Sequence, residues 1–123
     1  MATRSKIAIE NQDGTVTAIY CHWDGYVDGV GKTLFENYDR EKLEQLIELG
    51  DISSLGETLD ETVAYHRDNG EDLKKNTLIN VPTLFEDGFE GIDYIYCSLK
   101  DGRLLVSNGG PVIDLVVAIE EGL

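Results

Sequence analysis

Positive charge is scarce in this chain. Ten Lys and Arg stand against 24 Asp and Glu in 123 residues, a formal net charge of −14. A surface of that sign repels nucleic acid and anionic bilayers and attracts basic proteins. Direct nucleic-acid or membrane binding is therefore not expected. Cysteine and histidine are scarce too. Cys21 and Cys97, each ending an Ile-Tyr-Cys triplet, form no Cys-x-x-Cys pair, and the two His do not cluster. That excludes a structural zinc site and predicts no metal and no cofactor. The two thiols read as buried side chains in a reducing compartment. Long hydrophobic runs are missing as well: the longest aliphatic run, 115–119, is far short of the ~20 residues of a membrane helix. The opening Met-Ala-Thr-Arg-Ser-Lys leads into no apolar signal core. The expected compartment is the cytoplasm.

What is present fits one domain over 1–123, with 41% apolar and 28% charged residues. Residues 6–10 read as a strand with Ile7 and Ile9 on one face, 11–14 as a turn, and 15–23 as the returning strand. In that strand Val16, Ala18, Tyr20 and His22 alternate with Thr17, Ile19, Cys21 and Trp23. Bulk on both faces predicts a central strand. Leu34, Phe35 and Tyr38 then form a short helical stripe. Asp39 is placed to cap a second helix, 40–49, with Leu43, Leu46 and Ile47 facing inward and Gly50 ending it. Residues 92–99 and 103–107 read as a second hairpin about Asp101-Gly102. Pro111 opens and Gly122 closes a last helix with Val112, Leu115, Val116 and Ile119 on its apolar face. Periodicity is weakest over 51–80, where Ile52, Leu55 and Leu59 suggest a packed loop, and 77–81 and 84–85 read as extended pieces around Pro82. The expectation is an α+β fold: an antiparallel sheet of two β-hairpins with helices packed on one face.

Two stretches are candidates for function. From Glu36 to Asp72 twelve carboxylates meet three basic residues, Arg40, Lys42 and Arg67. Glu36, Glu41, Glu44, Glu48, Asp51, Glu57, Asp60 and Glu61 are the expected partner-binding set. Glu41, Glu44 and Glu48 recur at i, i+3 and i+7 as a ridge, which also reads simply as a well-solvated helix face. The second stretch is 19–33, where strand gives way to helix. Gly-Val-Gly-Lys-Thr at 29–33 looks like a phosphate loop, but the pattern's first Gly position is held by Tyr26. His22, Trp23, Asp24, Tyr26, Lys32, His66 and Arg67 are the expected lining of a small-ligand pocket. His22 and Asp24 share one side of the strand end, as a carboxylate orienting an imidazole in a small enzyme would require. Cys21 projects to the other face and forms no nucleophile pair with His22.

Ala2-Thr3-Arg4-Ser5-Lys6-Ile7-Ala8-Ile9-Glu10, joined to Tyr20-Cys21-His22-Trp23-Asp24-Gly25-Tyr26 and a Gly-rich turn, resembles a family of small proteins from tailed bacteriophages and prophages. The likeness continues through Gly50-Asp51-Ile52-Ser53-Ser54-Leu55-Gly56 and Thr62-Val63-Ala64-Tyr65-His66-Arg67-Asp68, over half the chain. It brings no established activity and no catalytic residue. It implies a phage accessory protein, in the cytoplasm of an infected bacterial host, that disables a host protein such as a restriction or CRISPR component. Joined to the charge, the leading expectation is an inhibitor whose carboxylates imitate a phosphate chain on a basic host surface. The alternatives are a binder that sequesters a nucleotide signal of host immunity, and the small enzyme using His22 and Asp24.

Overall fold

The computed structural model describes residues 2–122. Strand β1, Ser5–Glu10, pairs antiparallel with β2, Val16–Cys21, with Ile7 opposite Ile19. In the turn between them Gly14 takes φ +88°, and the Asp13 carboxylate accepts from the Thr15 amide at 3.0 Å. The helical region follows through one π-helical turn, Val27–Gly31, then α1, Lys32–Asn37, and α2, Arg40–Glu48. Asp39 caps α2 by accepting from the Lys42 amide at 2.8 Å. Leu43, Leu46 and Ile47 are buried, and Gly50 leaves the helix with φ +76°.

The region of weak periodicity supplies β3, Ile52–Ser54, β4, Val63–Ala64, α3, Tyr65–Asn69, and β5, Asn76–Leu78. Then come α4, Val81–Asp87, β6, Tyr94–Ser98, β7, Leu104–Ser107, β8, Ile113–Asp114, and α5, Leu115–Glu121. The sheet runs β4-β3-β2-β1-β6-β7-β8, with β5 also paired to β2.

Two expectations are corrected here. The sheet is mixed, not antiparallel throughout: β1 runs parallel to β6, and β2 parallel to β3. Side-chain alternation has the same period in both pairings, so the pattern carries no information on direction. Nor do the helices keep to one face. Ile7, Ile9, Ile19 and Cys21 pack with Val30, Leu34, Leu46 and Leu115 on one side of the sheet. On the other, Ala8, Val16, Ala18, Ile95 and Cys97 pack with Leu84, flanked by Val81 and Phe85 of α4. Ala8 and Ala18 are cross-strand partners, and their small side chains leave room for Leu84. Pro82 lies in the first turn of α4, where its missing N–H is harmless, and Asn80 caps that helix by accepting from the Thr83 amide at 2.9 Å. A proline read as flanked by extended pieces thus begins a helix.

The last helix also differs from its expectation. Ile113 and Asp114 pair with β7, so α5 begins at Leu115 rather than beside Pro111. Leu115 and Ala118 face the core, while Val112 and Val116 are exposed.

Cys21 and Cys97 are both free and buried, one in each core. Burial pushes each thiol up to about 12. A folded state that favours the protonated thiol loses stability as pH rises past the ordinary thiol range, about 8.5. The urea midpoint is therefore expected to fall between about pH 9 and pH 12, at up to ~1.4 kcal/mol per pH unit for each thiol. Cys97→Ala should lower the starting stability but flatten that decline. A slope unchanged by the substitution would remove Cys97 as a cause.

Candidate functional site

The acidic region is built on α1, α2 and the loop 55–62. Burying Leu43, Leu46 and Ile47 turns Glu41, Glu44 and Glu48 outward as an exposed ridge. The loop is held against the two helices by Tyr38, whose hydroxyl donates to the Gly56 carbonyl at 2.8 Å and lies 3.3 Å from the Thr62 hydroxyl. Lys42 adds a second tie, its Nζ donating to the Asn37 and Glu57 carbonyls at 2.9 and 2.6 Å. Glu36, Glu41, Glu57, Asp60 and Glu61 all reach solvent from these elements.

The three basic residues of the segment are each engaged by local acceptors. Arg40 donates to the Glu10, Ser98 and Leu99 carbonyls and to the Ser98 hydroxyl. Lys42 lies 4.4 Å from the centre of the Tyr38 ring. Arg67 donates to the Leu59 and Thr62 carbonyls and pairs with Asp68 at 2.9 Å. Two members of the ridge do carry a counter-ion: Glu44 pairs with Arg40 at 3.2 Å and Glu48 with Lys75 at 3.3 Å. Asp51 does not join the acidic surface. It is half-buried, and its Oδ1 accepts from the Tyr20 amide at 2.9 Å. Burial raises its carboxyl, with Lys74 and Lys6 acting against that rise.

The strand-to-helix segment is held close to the sheet. The Tyr96 hydroxyl donates to the Gly25 carbonyl at 2.6 Å, and the Gly25 amide donates to the Thr3 carbonyl at 2.9 Å. Gly31 lies against Tyr96 and Leu115, where a Cβ would come within 3.2 Å of each. The glycines of the phosphate-loop-like stretch thus serve close packing. Asp24 takes φ +59°, the left-handed region that Asp tolerates better than most residues. This geometry separates His22 from Asp24. His22 Nδ1 and the Tyr20 hydroxyl share a hydrogen bond of 2.6 Å, while Asp24 accepts from the Tyr26 hydroxyl at 3.2 Å. Trp23 meets His22 edge-on, with ring centres 4.7 Å apart, and remains 46% exposed; Tyr26 is 42% exposed.

The expected pocket lining therefore divides into separate local groups. His22 and Trp23 contact each other, and Asp24 holds Tyr26. Lys32 pairs with Asp28 at 2.8 Å. His66 Nδ1 donates to the Glu71 carbonyl at 2.7 Å, which places its proton on that nitrogen, and Arg67 binds its own loop. Among the described residues no hydrogen bond or ion pair joins His66 or Arg67 to the segment 22–32. Sequence reading passed over Tyr20, Lys6 and Lys74, which gather around Asp51. A turn at 11–14 sets Lys6 across from Ile19, one residue away from its actual partner Tyr20, and the approach of Lys74 depends on the path of 70–76, so neither was available as a signal.

Among the described residues no three His, Cys, Asp or Glu side chains come together as metal ligands, and no helix is long and apolar enough to cross a membrane. Comparison of the chain with protein-family models, with curated proteins and with solved structures gives no match in any of the three.

Proposed function

We propose that this chain is a phage accessory protein that binds a host protein and blocks it, as anti-restriction and anti-CRISPR proteins do, by presenting carboxylates to a basic surface. The observation that carries the reading is the local engagement of Arg40, Lys42 and Arg67. Their charges are engaged by backbone carbonyls, by Glu44 and by Asp68, and among the described residues Glu36, Glu41, Glu57, Asp60 and Glu61 have no salt-bridge partner. Exposed side chains kept free in this way retain their field for a partner and raise its rate of encounter. Residues four apart on a helix rise about 6 Å, whereas successive phosphates on one DNA strand rise about 3.4 Å. The surface therefore matches a nucleic-acid site in sign more than in spacing.

The nucleotide-binding alternative loses support because Lys32 and Arg67 are engaged elsewhere, and the enzymatic alternative because His22 takes Tyr20 as its partner.

The test is affinity capture from bacterial host lysate, followed by measured binding of the retained protein at low and high ionic strength. Glu41→Gln, Glu57→Gln and Glu61→Gln combined should weaken binding about tenfold at low salt, chiefly through the association rate. Binding that neither salt nor the triple substitution changes would reject the reading.

A further inference from the structure

The outer edge of β2 is shared by two strands that do not meet. Strand β3 joins it at Cys21 and β5 at Val16, Thr17 and Ala18, which leaves a notch in the sheet at Ile19 and Tyr20. The Asp51 carboxylate fills the missing ladder position by accepting from the Tyr20 amide. The strap that leads into β5 is tied to the same place, because the Asp51 amide donates to the Lys74 carbonyl at 2.9 Å. What remains is a cavity of about 330 Å³, walled by Ala18, Tyr20, Asn76, Lys6, Lys74 and Lys75, with Ile19 and Asp51 completing it.

Three of the chain's ten basic residues thus surround one concave space. Their state is the informative part. Lys75 is paired with Glu48, but Lys6 and Lys74 make no ion pair or side-chain hydrogen bond among the described residues. Lys6 is half-buried on the sheet beneath the notch, directly across from Tyr20. Asp51, the carboxylate that lines the notch, already accepts from a backbone amide. Asp51 offsets part of the charge of Lys6 and Lys74, as Glu48 offsets that of Lys75, so three lysines face two carboxylates and the notch keeps a positive balance for an anion that comes from outside.

We propose that this notch binds a small phosphate ester of mononucleotide size, its phosphate between Lys6 and Lys74 and its ring against Tyr20. The volume suits such a ligand, since small-molecule sites run from about 300 Å³ upward. The overall charge does not forbid it. At 0.1 M salt the Debye length is about 10 Å, so carboxylates far from the notch are largely screened, and Asp51 and Glu48 are the acids left to act against its three lysines. The site shares no side chain with the free carboxylates proposed to bind a protein, so either proposal can fail alone.

The test is calorimetry at 0.1 M salt with AMP, inorganic phosphate and adenosine as probes. AMP should bind saturably, about tenfold tighter than inorganic phosphate, and adenosine should give no heat. Lys6→Gln with Lys74→Gln should weaken AMP at least tenfold, and Lys74→Gln alone, in the exposed strap, should weaken it in part. Lys100→Gln, at the far β6–β7 turn, should leave it unchanged. Absence of saturable AMP binding, equal affinity for AMP and adenosine or inorganic phosphate, or equal effects of the Lys74 and Lys100 substitutions would overturn the proposal.

Discussion

Arg40→Ala is expected to destabilise the fold by about 2–4 kcal/mol, read as a lower urea midpoint without change in slope. The side chain leaves the first turn of α2 and reaches the ends of β1 and β6. There its guanidinium donates to the Glu10 carbonyl at 2.5 Å, the Ser98 carbonyl at 3.1 Å, the Ser98 hydroxyl at 3.2 Å and the Leu99 carbonyl at 3.3 Å. These groups mark the place where the parallel ladder between β1 and β6 runs out. The Leu99 carbonyl would keep the Gly102 amide as its donor, but truncation would take the guanidinium from the part-buried Glu10 and Ser98 oxygens, and a buried unpaired acceptor costs more than a made hydrogen bond returns. Arg40→Lys should recover little, because an ammonium group cannot present a planar fork to acceptors on two strands. The companion Lys42→Ala should cost roughly 1 kcal/mol or less, since its two carbonyls lie nearer to solvent. Equal losses from Arg40→Ala and Lys42→Ala would show that the clamp across the strand ends is not what holds α2 in place.

Gly29→Ala should be worse tolerated than any other glycine substitution in the strand-to-helix segment. A Cβ at this position would stand 2.4 Å from the Asp24 carbonyl oxygen and 3.0 Å from the Tyr26 ring. The obstacle is backbone, and it is fixed: that same carbonyl accepts from the Val30 amide at 2.9 Å, and Asp24 is already held at positive φ. Relief requires opening the π-helical turn, at a cost of about 3 kcal/mol. Gly14→Ala supplies the comparison. Its φ is +88°, and a methyl group there would meet nothing within 4 Å, so it meets only the left-handed backbone penalty of about 1–2 kcal/mol. Thermal unfolding of the two variants separates steric exclusion from backbone preference. A Gly29→Ala protein as stable as Gly14→Ala would mean the turn yields freely.

The parts of this fold that could be read from sequence are those in which local chemistry and packing agree. Asp39, the Leu43-Leu46-Ile47 stripe and Gly50 bracket α2 from within the helix itself, and the alternation through 16–21 marks β2 as buried on both sides. The direction of strand pairing was not legible, because β3 is three residues long and joins β2 at a single register position. α4 was missed because Pro82 breaks a strand as readily as it starts a helix, and the deciding signal was the cap, Asn80. At the surface, the outward ridge of α2 followed from helical spacing. The loss of Asp51 from it, and the engagement of Lys32 and Arg67, depended on contacts with residues close in space but not predictable from pattern: Tyr20 for Asp51, Asp28 for Lys32, and Leu59 and Thr62 for Arg67.

The placement of β1 at the heart of the sheet has a consequence for how the molecule assembles. Its first partner, β2, arrives after the five residues 11–15, but its second, β6, begins at Tyr94. An early hairpin must therefore wait with Ile7 and Ile9 on an open hydrogen-bonding edge until most of the polypeptide has been made. Such non-local closure slows folding and exposes a strand to stray pairing with other chains. The crowd of carboxylates encoded between the two partners travels with that waiting edge, and mutual repulsion between nascent copies would keep it from aggregating before β6 docks.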